Sequence, residues 1–369
     1  MITNKGKSVI SKYMIGQTSA YASYLAIGCG PAPLKPTDTI DVESLKTKET
    51  LDFETLRVPI TSRGYVTQVI DGTPVSQLVL TAQLPAESSY GITEVGIYPA
   101  LSNPVAVGND SRMLLTFDNN EAWLVRDTIP ATPTSTIIVD GQINETTPTT
   151  IFANLLDPVI TNQTRILHNE APRNGSTSLV TPGNLSTFSG TTPQAGKYLV
   201  ITNPGINLSQ SSPKDKLKIA FSVMPKTMLS SVSGTAKIVV EFGNQEGIGV
   251  GGYARAIYSV NITDPVGGAT PSRYFTASID IKDLVQSGFS WADATYIKVF
   301  VYAGADNIVA LDGMRVDNVS SESPVYGLVG YTVIKNLLTT SGGTPGAVPI
   351  VKDKDKTSLI EFRFQVSVG

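Results

Sequence analysis

Few side chains in this 369-residue sequence could do chemistry, and they are widely spaced. It holds one histidine, His168, and one cysteine, Cys29. Histidine-clustered zinc, the two-histidine iron site and an H-E-x-x-H metalloprotease are therefore impossible within one chain. Cysteine–histidine catalysis would require Cys29 and His168 to meet across domains. Cys29, between Gly28 and Gly30, can form no internal disulfide and reads as a small buried hydrophobe. His168 sits in a polar stretch beside Asn169 and Glu170 and reads as a surface residue. There is no G-x-S-x-G elbow, no G-x-x-x-x-G-K-[ST] phosphate loop and no dinucleotide fingerprint after a strand. The glycines at Gly247, Gly249, Gly251 and Gly252 precede a strand pattern and read as a loop.

Carboxylates form the next group. Asp280, Asp283, Asp306, Asp312 and Asp317 fall near the ends of strand patterns, where loop oxygens and carbonyls can hold Ca²⁺. Of these, Asp280, Asp283, Asp312 and Asp317 are the calcium candidates, although the D-x-D-x-D-G spacing is missing and ordinary solvated carboxylates fit as well. A glycosidase needs two carboxylates roughly 5–10 Å apart, and spacing along the chain does not select such a pair.

The aromatic residues offer binding chemistry. In Tyr296 to Tyr302, the residues Ile297, Val299 and Val301 make one aliphatic face, which puts Tyr296, Lys298, Phe300 and Tyr302 on the other. With Tyr258, Tyr274 and Trp291 they could form a surface that stacks on sugar rings or on a neighbouring protein. Alternatively, these rings cover the flank of the sandwich under loops or pack on the adjoining domain.

The elements that must position these residues are strands. Charged residues make up 16% of the chain, and 32 Gly and 23 Pro supply many turns. The formal net charge is −3, with no Lys/Arg block of five or more, which disfavours nucleic acid. No apolar run approaches membrane-spanning length, and Met1 to Gln17 lacks the apolar core of a signal peptide, so neither membrane insertion nor export is expected. Val9, Ile10, Tyr13 and Met14 predict one short helix over residues 5–15, with Ser8 near its start and Gly16 as its stop. Period-two alternation marks Leu56 to Ile60 and Leu78 to Leu84, with turns at Gly64, at Asp71-Gly72 and over Pro85 to Gly91. The meander continues through Ile92 to Pro99, Met113 to Phe117 and Trp123 to Ile129. A second β set follows a polar stretch around 161–190: Leu217 to Val223, Ile238 to Phe242, Phe275 to Ile281, Ile297 to Val301, and a last strand in Leu311 to Val319.

Residues after 323 hold only two or three strands, too few to stand alone. The expected architecture is therefore all-β: a discontinuous antiparallel domain made of 1–165 and 323–369, with a jelly-roll β-sandwich, 166–322, inserted into it.

Three segments carry a resemblance: YMIGQTSAYASYLAIGCGPAP (13–33), ITEVGIYPALSNPVAVGNDSRMLLTF (92–117), and the closing YGLVGYTVIKN with SLIEFRFQVSV. They resemble tail-fibre and baseplate proteins of tailed bacteriophages, which often carry "ISEVGIY/F" followed by a phrase like "LVAYGNF". Ile92 to Tyr98 and Val105 to Asn109 match that pattern. Gly96 would allow a close approach by another chain segment, and Asn103-Pro104 would turn Ile92 to Pro99 back on Val105 to Gly108 as a hairpin. LDGMRVDNV is similar to the last strand of carbohydrate-binding jelly rolls.

The resemblance implies a non-enzymatic virion component, assembled in the host cytoplasm as a homo-oligomer, trimeric or ring-forming. It would be anchored in tail, baseplate or fibre through the discontinuous domain, with the jelly roll binding host glycans or a neighbouring virion protein. The rival expectations are a capsid decoration or head-fibre protein, a polysaccharide-degrading enzyme and a bacterial surface adhesin.

Overall fold

The computed structural model describes residues 1–34, 38–70, 72–87, 89–100, 113–116, 122–127, 136–139, 142–143, 179–202, 216–225, 232–245, 251–263, 273–291, 294–317, 327–335, 337–339, 345–347 and 349–365. The architecture is all-β and divides into two compact units. Unit 1 is Met1–Asp110 with Val319–Gly369, and unit 2 is Ser111–Asn318.

Unit 1 opens with helix α1 (Asn4–Met14), capped by Thr3, whose hydroxyl accepts from the Gly6 N–H at 2.8 Å. The cap is thus five residues before Ser8. A second short helix, α2 (Val42–Lys46), was not expected; Asp41 caps it by accepting from the Glu43 and Ser44 N–H groups. The strands of this half are β1 (Tyr24–Gly28), β2 (Glu54–Ile70), β3 (Thr73–Leu84), β4 (Tyr90–Ile92) and β5 (Glu94–Tyr98). β2 and β3 form a long hairpin that turns at Gly72, whose φ of +78° suits glycine. Gly64 is not a turn: it lies inside β2, opposite Val79.

Unit 2 is a sandwich of two sheets. Its strands are β6 (Met113–Thr116), β7 (Ala122–Asp127), β8 (Thr136–Val139), β9 (Gln142–Ile143), β10 (Leu179–Pro182), β11 (Ser186–Ser189) and β12 (Thr192–Thr202). They continue with β13 (Lys216–Pro225), β14 (Thr235–Gly243), β15 (Tyr253–Asn261), β16 (Arg273–Asp280), β17 (Val285–Ser287), β18 (Tyr296–Tyr302) and β19 (Asn307–Asp317). One sheet runs β17-β15-β14-β18-β12-β7-β8-β9, with β11 beside β12. The other runs β10-β19-β13-β16, with β6 beside β19. The chain crosses between the sheets repeatedly, at β6–β7, β9–β10, β10–β11, β12–β13, β13–β14, β15–β16, β16–β17 and β18–β19, as the chain of a β-sandwich does. Leu217, Ile219, Phe221 and Val223 face Ile238, Val240, Phe242, Ile297, Val299 and Val301 across one apolar core.

This pairing moves the first domain boundary. β6 hydrogen bonds to Gly313–Val316 of β19, and β7 to Lys197–Val200 of β12. Met113–Thr116 and Ala122–Asp127 therefore belong to the sandwich, and the division falls at 110 rather than 165. At the far end it falls at 318 rather than 322. Strand alternation reveals which face is buried, but not which strand is the partner.

The chain then returns to unit 1 with β20 (Gly330–Val333), β21 (Leu337–Thr339), β22 (Pro345–Ala347), β23 (Ile350–Lys352) and β24 (Ser358–Gln365). The sheet order is β20-β5-β1-β2-β3-β24, so segments from both ends of the chain share one sheet. β21 pairs with β22, and β23 with β4. The hairpin expected between Ile92–Pro99 and Val105–Gly108 lies outside the described residues; β5 pairs instead with β1 and β20.

Candidate functional site

The aromatic face of β18 is not the open strip that its alternation suggests. Ile297, Val299 and Val301 do point into the inter-sheet core, but Lys298 and Phe300 on the opposite face are each fully buried. Phe300 packs at a tilt on Tyr198, ring centroids 5.1 Å apart, within a second apolar cluster that holds Val200 and Val239, with Tyr296 half-buried against it. Tyr258 belongs to the inter-sheet core, and its hydroxyl donates to the Leu217 carbonyl at 2.7 Å; burial raises its pKa. Trp291 packs on Phe242 and Phe289, and the Tyr274 hydroxyl donates to Asp312 Oδ2 at 2.7 Å. Five of the seven candidate residues are thus committed to packing or to internal hydrogen bonds; for Lys298 and Phe300 the reason is that both faces of β18 are covered.

Lys298 is held by charge as well as by packing. Glu241 of β14 lies between Arg255 of β15 and Lys298 of β18, cross-strand on either side. Lys298 Nζ donates to Glu241 Oε1 at 3.1 Å, and Arg255 Nε donates to Glu241 Oε2 at 3.0 Å. The three side chains are 0–6% exposed. A buried carboxylate with two cationic donors is a structural arrangement, since a lone charge at that depth would be expensive.

What remains at the surface is a small platform at one end of β18. Tyr302 is 38% exposed and meets Phe188 of β11 edge-on at 6.4 Å. Across the strand pair, Lys237 donates to the Gly190 carbonyl at 2.6 Å, which fixes the adjoining turn. Phe188 had no signal in the sequence, because it comes into place only through the pairing of β11 with β12.

The calcium candidates do not converge. Asp280 pairs with Lys216 and Lys282, each at 3.5 Å, while Asp312 is buried under Tyr274. Asp283 and Asp306 are exposed, and the side chain of Asp317 lies outside the described residues, as does His168. Among the described residues no group of three His, Cys, Asp or Glu could hold a metal.

Unit 1 contains a polar centre that sequence reasoning missed. Glu94, in the Ile92–Tyr98 motif, is fully buried and accepts from the N–H groups of Gly30 (3.2 Å), Asp52 (2.9 Å) and Phe53 (2.8 Å). The Tyr331 hydroxyl completes the set at 2.8 Å. Burial pushes the Glu94 pKa up to about 7, nearby Asp52 adds to the rise, and the N–H donors oppose it. The Tyr331 hydroxyl is raised as well, by burial and then by the Glu94 charge. Lys48 pairs with Asp52, and Arg57 makes a bidentate pair with Glu54 while stacking 3.7 Å over the Tyr98 ring.

The glycines around this centre have a steric reason. A Cβ on Gly28 would lie 2.5 Å from both Glu94 Oε1 and the Phe53 carbonyl, and one on Gly30 would meet Asp52 and Glu94. A Cβ on Gly96 would lie 2.5 Å from Leu328 and from Leu51, so the close approach expected of this glycine is made within unit 1. Cys29, between the first two, is buried and unbridged.

No family model and no curated protein matches the chain. Among the solved structures similar to part of it are two β-domain proteins. One is a carbohydrate-binding module specific for non-crystalline cellulose: 14% identity over 43% of this chain and 78% of that one, with a TM-score of 0.24. The other is the K3 cleaved adhesin domain of Lys-gingipain from Porphyromonas gingivalis: 13% identity over 41% and 83%, with a TM-score of 0.21. At these scores neither likeness carries weight for function.

Proposed function

We propose that the chain is a non-enzymatic structural component of a tailed-phage particle, of tail, baseplate or fibre type. Unit 1 is its assembly and attachment part. Unit 2 is a recognition sandwich for a host surface glycan or a neighbouring particle protein. The observation that supports this most is the convergence of unit 1 on the motif strand β5. That strand pairs with β1 on one side and β20 on the other, and its Glu94 binds loop, strand and chain return together. A sheet closed in this way stays intact around a large insertion, as a part that anchors one lobe and carries another requires.

The recognition role rests on the Tyr302–Phe188 platform. An exposed aromatic ring suits a pyranose, whose apolar face can stack on it. Single contacts of this size are weak, and repetition around a homo-oligomer raises them through avidity.

The test is particle association. Antibody raised against the purified chain should label particles released from cells that produce it, and electron microscopy would place the label on tail or head. A chain that never co-sediments with particles overturns the reading; label on the head favours a capsid decoration or head-fibre role. Release of new reducing ends from envelope polysaccharide, abolished by one carboxylate substitution in unit 2, would overturn the non-enzymatic assignment.

A further inference from the structure

Unit 1 carries a nearly uncharged arm with exposed tyrosine and valine and, elsewhere on the same unit, a partly apolar groove that the arm of its own chain cannot reach. The arm is the distal part of the β2–β3 hairpin. From Thr61 to Val69 every residue but half-buried Gln68 is exposed, including Tyr65 at 64% and Val69 at 70%. Over Gly64–Val79 the only charged residue is Asp71. A ribbon meant for water normally carries lysines or other charges that keep it from pairing, and charge depletion with tyrosine and valine at the surface is the composition of an interface core. With no Lys or Arg between Gly64 and Val79, the arm has nothing to hold phosphate.

The groove has a volume of about 450 Å³. Leu84, Ile92 and Phe362 line it together with the charged residues Lys352, Glu361 and Arg363, and Ile350, Val351 and Leu359 add apolar surface that is 44%, 67% and 74% exposed. Residues of β20 and of β24, the two outer strands of the six-stranded sheet, both contribute to its wall, so the sheet curls and the groove lies in the gap between its edges.

The register shows why the arm does not fill its own groove. Leu359 pairs with Gln83, whereas Val69 pairs with Pro74 at the tip. The nine residue steps from Pro74 to Gln83 span roughly 30 Å of extended strand. The tip of the same molecule is therefore held away from the groove.

We propose that the hairpin tip of one copy docks in the Leu359 groove of a second copy, head to tail. The covered tip, two strands wide and about five residues long, buries on the order of 400 Å² per partner, about half of what a stable standard interface uses. One such contact is weak. A closed ring, in which every copy both gives and receives an arm, doubles the contacts per chain and removes loose ends.

The inference rests on the assembly role proposed for unit 1. Its test is oxidative crosslinking of the purified full chain carrying both Val69→Cys and Leu359→Cys; native Cys29 is buried and silent. The expected result is a ladder of disulfide-linked multimers that neither single variant gives, with mass measurement by light scattering showing a ring. Tyr65→Asp combined with Val69→Asp, both at exposed positions, should weaken self-association at least tenfold while unit 2 stays folded. A monomer at high concentration, a double-cysteine variant that forms no intermolecular disulfide, or an oligomer indifferent to the Asp pair each overturns the contact. A chain that forms rings but is absent from particles overturns only the virion role, and a chain found in particles without the crosslink overturns only the arm–groove contact.

Discussion

The Tyr331 hydroxyl donates to Glu94 Oε2 at 2.8 Å across 237 residues of sequence. This bond joins the strand just before the inserted sandwich to the strand just after it. The carboxylate it reaches is already tied to Gly30, Asp52 and Phe53. The closure of unit 1 thus depends on one buried acid as well as on apolar packing. Removing the hydroxyl by Tyr331→Phe leaves a buried oxygen with one donor fewer and should cost about 1–3 kcal/mol. Urea unfolding followed by a probe in unit 1 would measure it, and an unchanged midpoint would contradict the role.

Glu94 also makes stability depend on pH. Its pKa is raised from 4.5 to about 7, so across that window the folded chain keeps a proton that the unfolded chain has released. The stabilisation is complete below about 4.5 and is lost as pH rises through about 7. The melting temperature of unit 1 should fall from about pH 5 to about pH 8, and Glu94→Gln should flatten that slope. An equal slope in the variant would assign the effect to other groups.

Gly28 and Gly96 should tolerate a methyl group unequally. A Cβ at Gly96 meets the ends of two leucine side chains, which can shift, and Gly96→Ala should cost about 1–3 kcal/mol. At Gly28 it meets the Phe53 carbonyl and the Glu94 carboxylate, neither of which can give way without losing the centre. Gly28→Ala should therefore be the more damaging, and chemical denaturation of both variants would show the opposite order if this account is wrong.

In unit 2, Glu241→Gln should be costly. It leaves Lys298, fully buried, and Arg255 without their shared carboxylate. Loss of one partner from such a group costs about 3–5 kcal/mol. Glu241→Gln with Lys298→Met should recover part of that loss, a sign that uncompensated charge and not lost volume causes it.

Binding to envelope glycans should depend on Tyr302 more than on Tyr296. The first is exposed beside Phe188, and the second packs partly into the cluster around Phe300. Tyr302→Ala should abolish retention on immobilised host polysaccharide with unit 2 still folded, Tyr296→Ala should weaken it less, and retention by a folded double variant would remove the glycan role.

The all-β class, the inward faces of β13, β14 and β18, the first helix and the hairpin turn at Asp71-Gly72 were all legible in the amino-acid order. Each follows from a local rule: alternation at period two, spacing at period 3.6, or a glycine that accepts positive φ. The glycine in the Ile92–Tyr98 motif was legible as a point of close approach, though not what approaches it. That the closing strands join the opening domain was legible from their being too few to stand alone, but individual strand partners were not. Met113–Thr116 alternates equally well whichever sheet receives it, and only hydrogen bonding to β19 assigns it to the sandwich. The outer face of β18 reads as exposed because alternation implies one wet side, and burial of both sides depends on chain far away in sequence. Glu94 looks like any strand carboxylate until Gly30, Phe53 and Tyr331 are brought round it. Local order sets what each segment prefers to be, whereas contacts between distant segments, made by closing long loops, set which side chains meet.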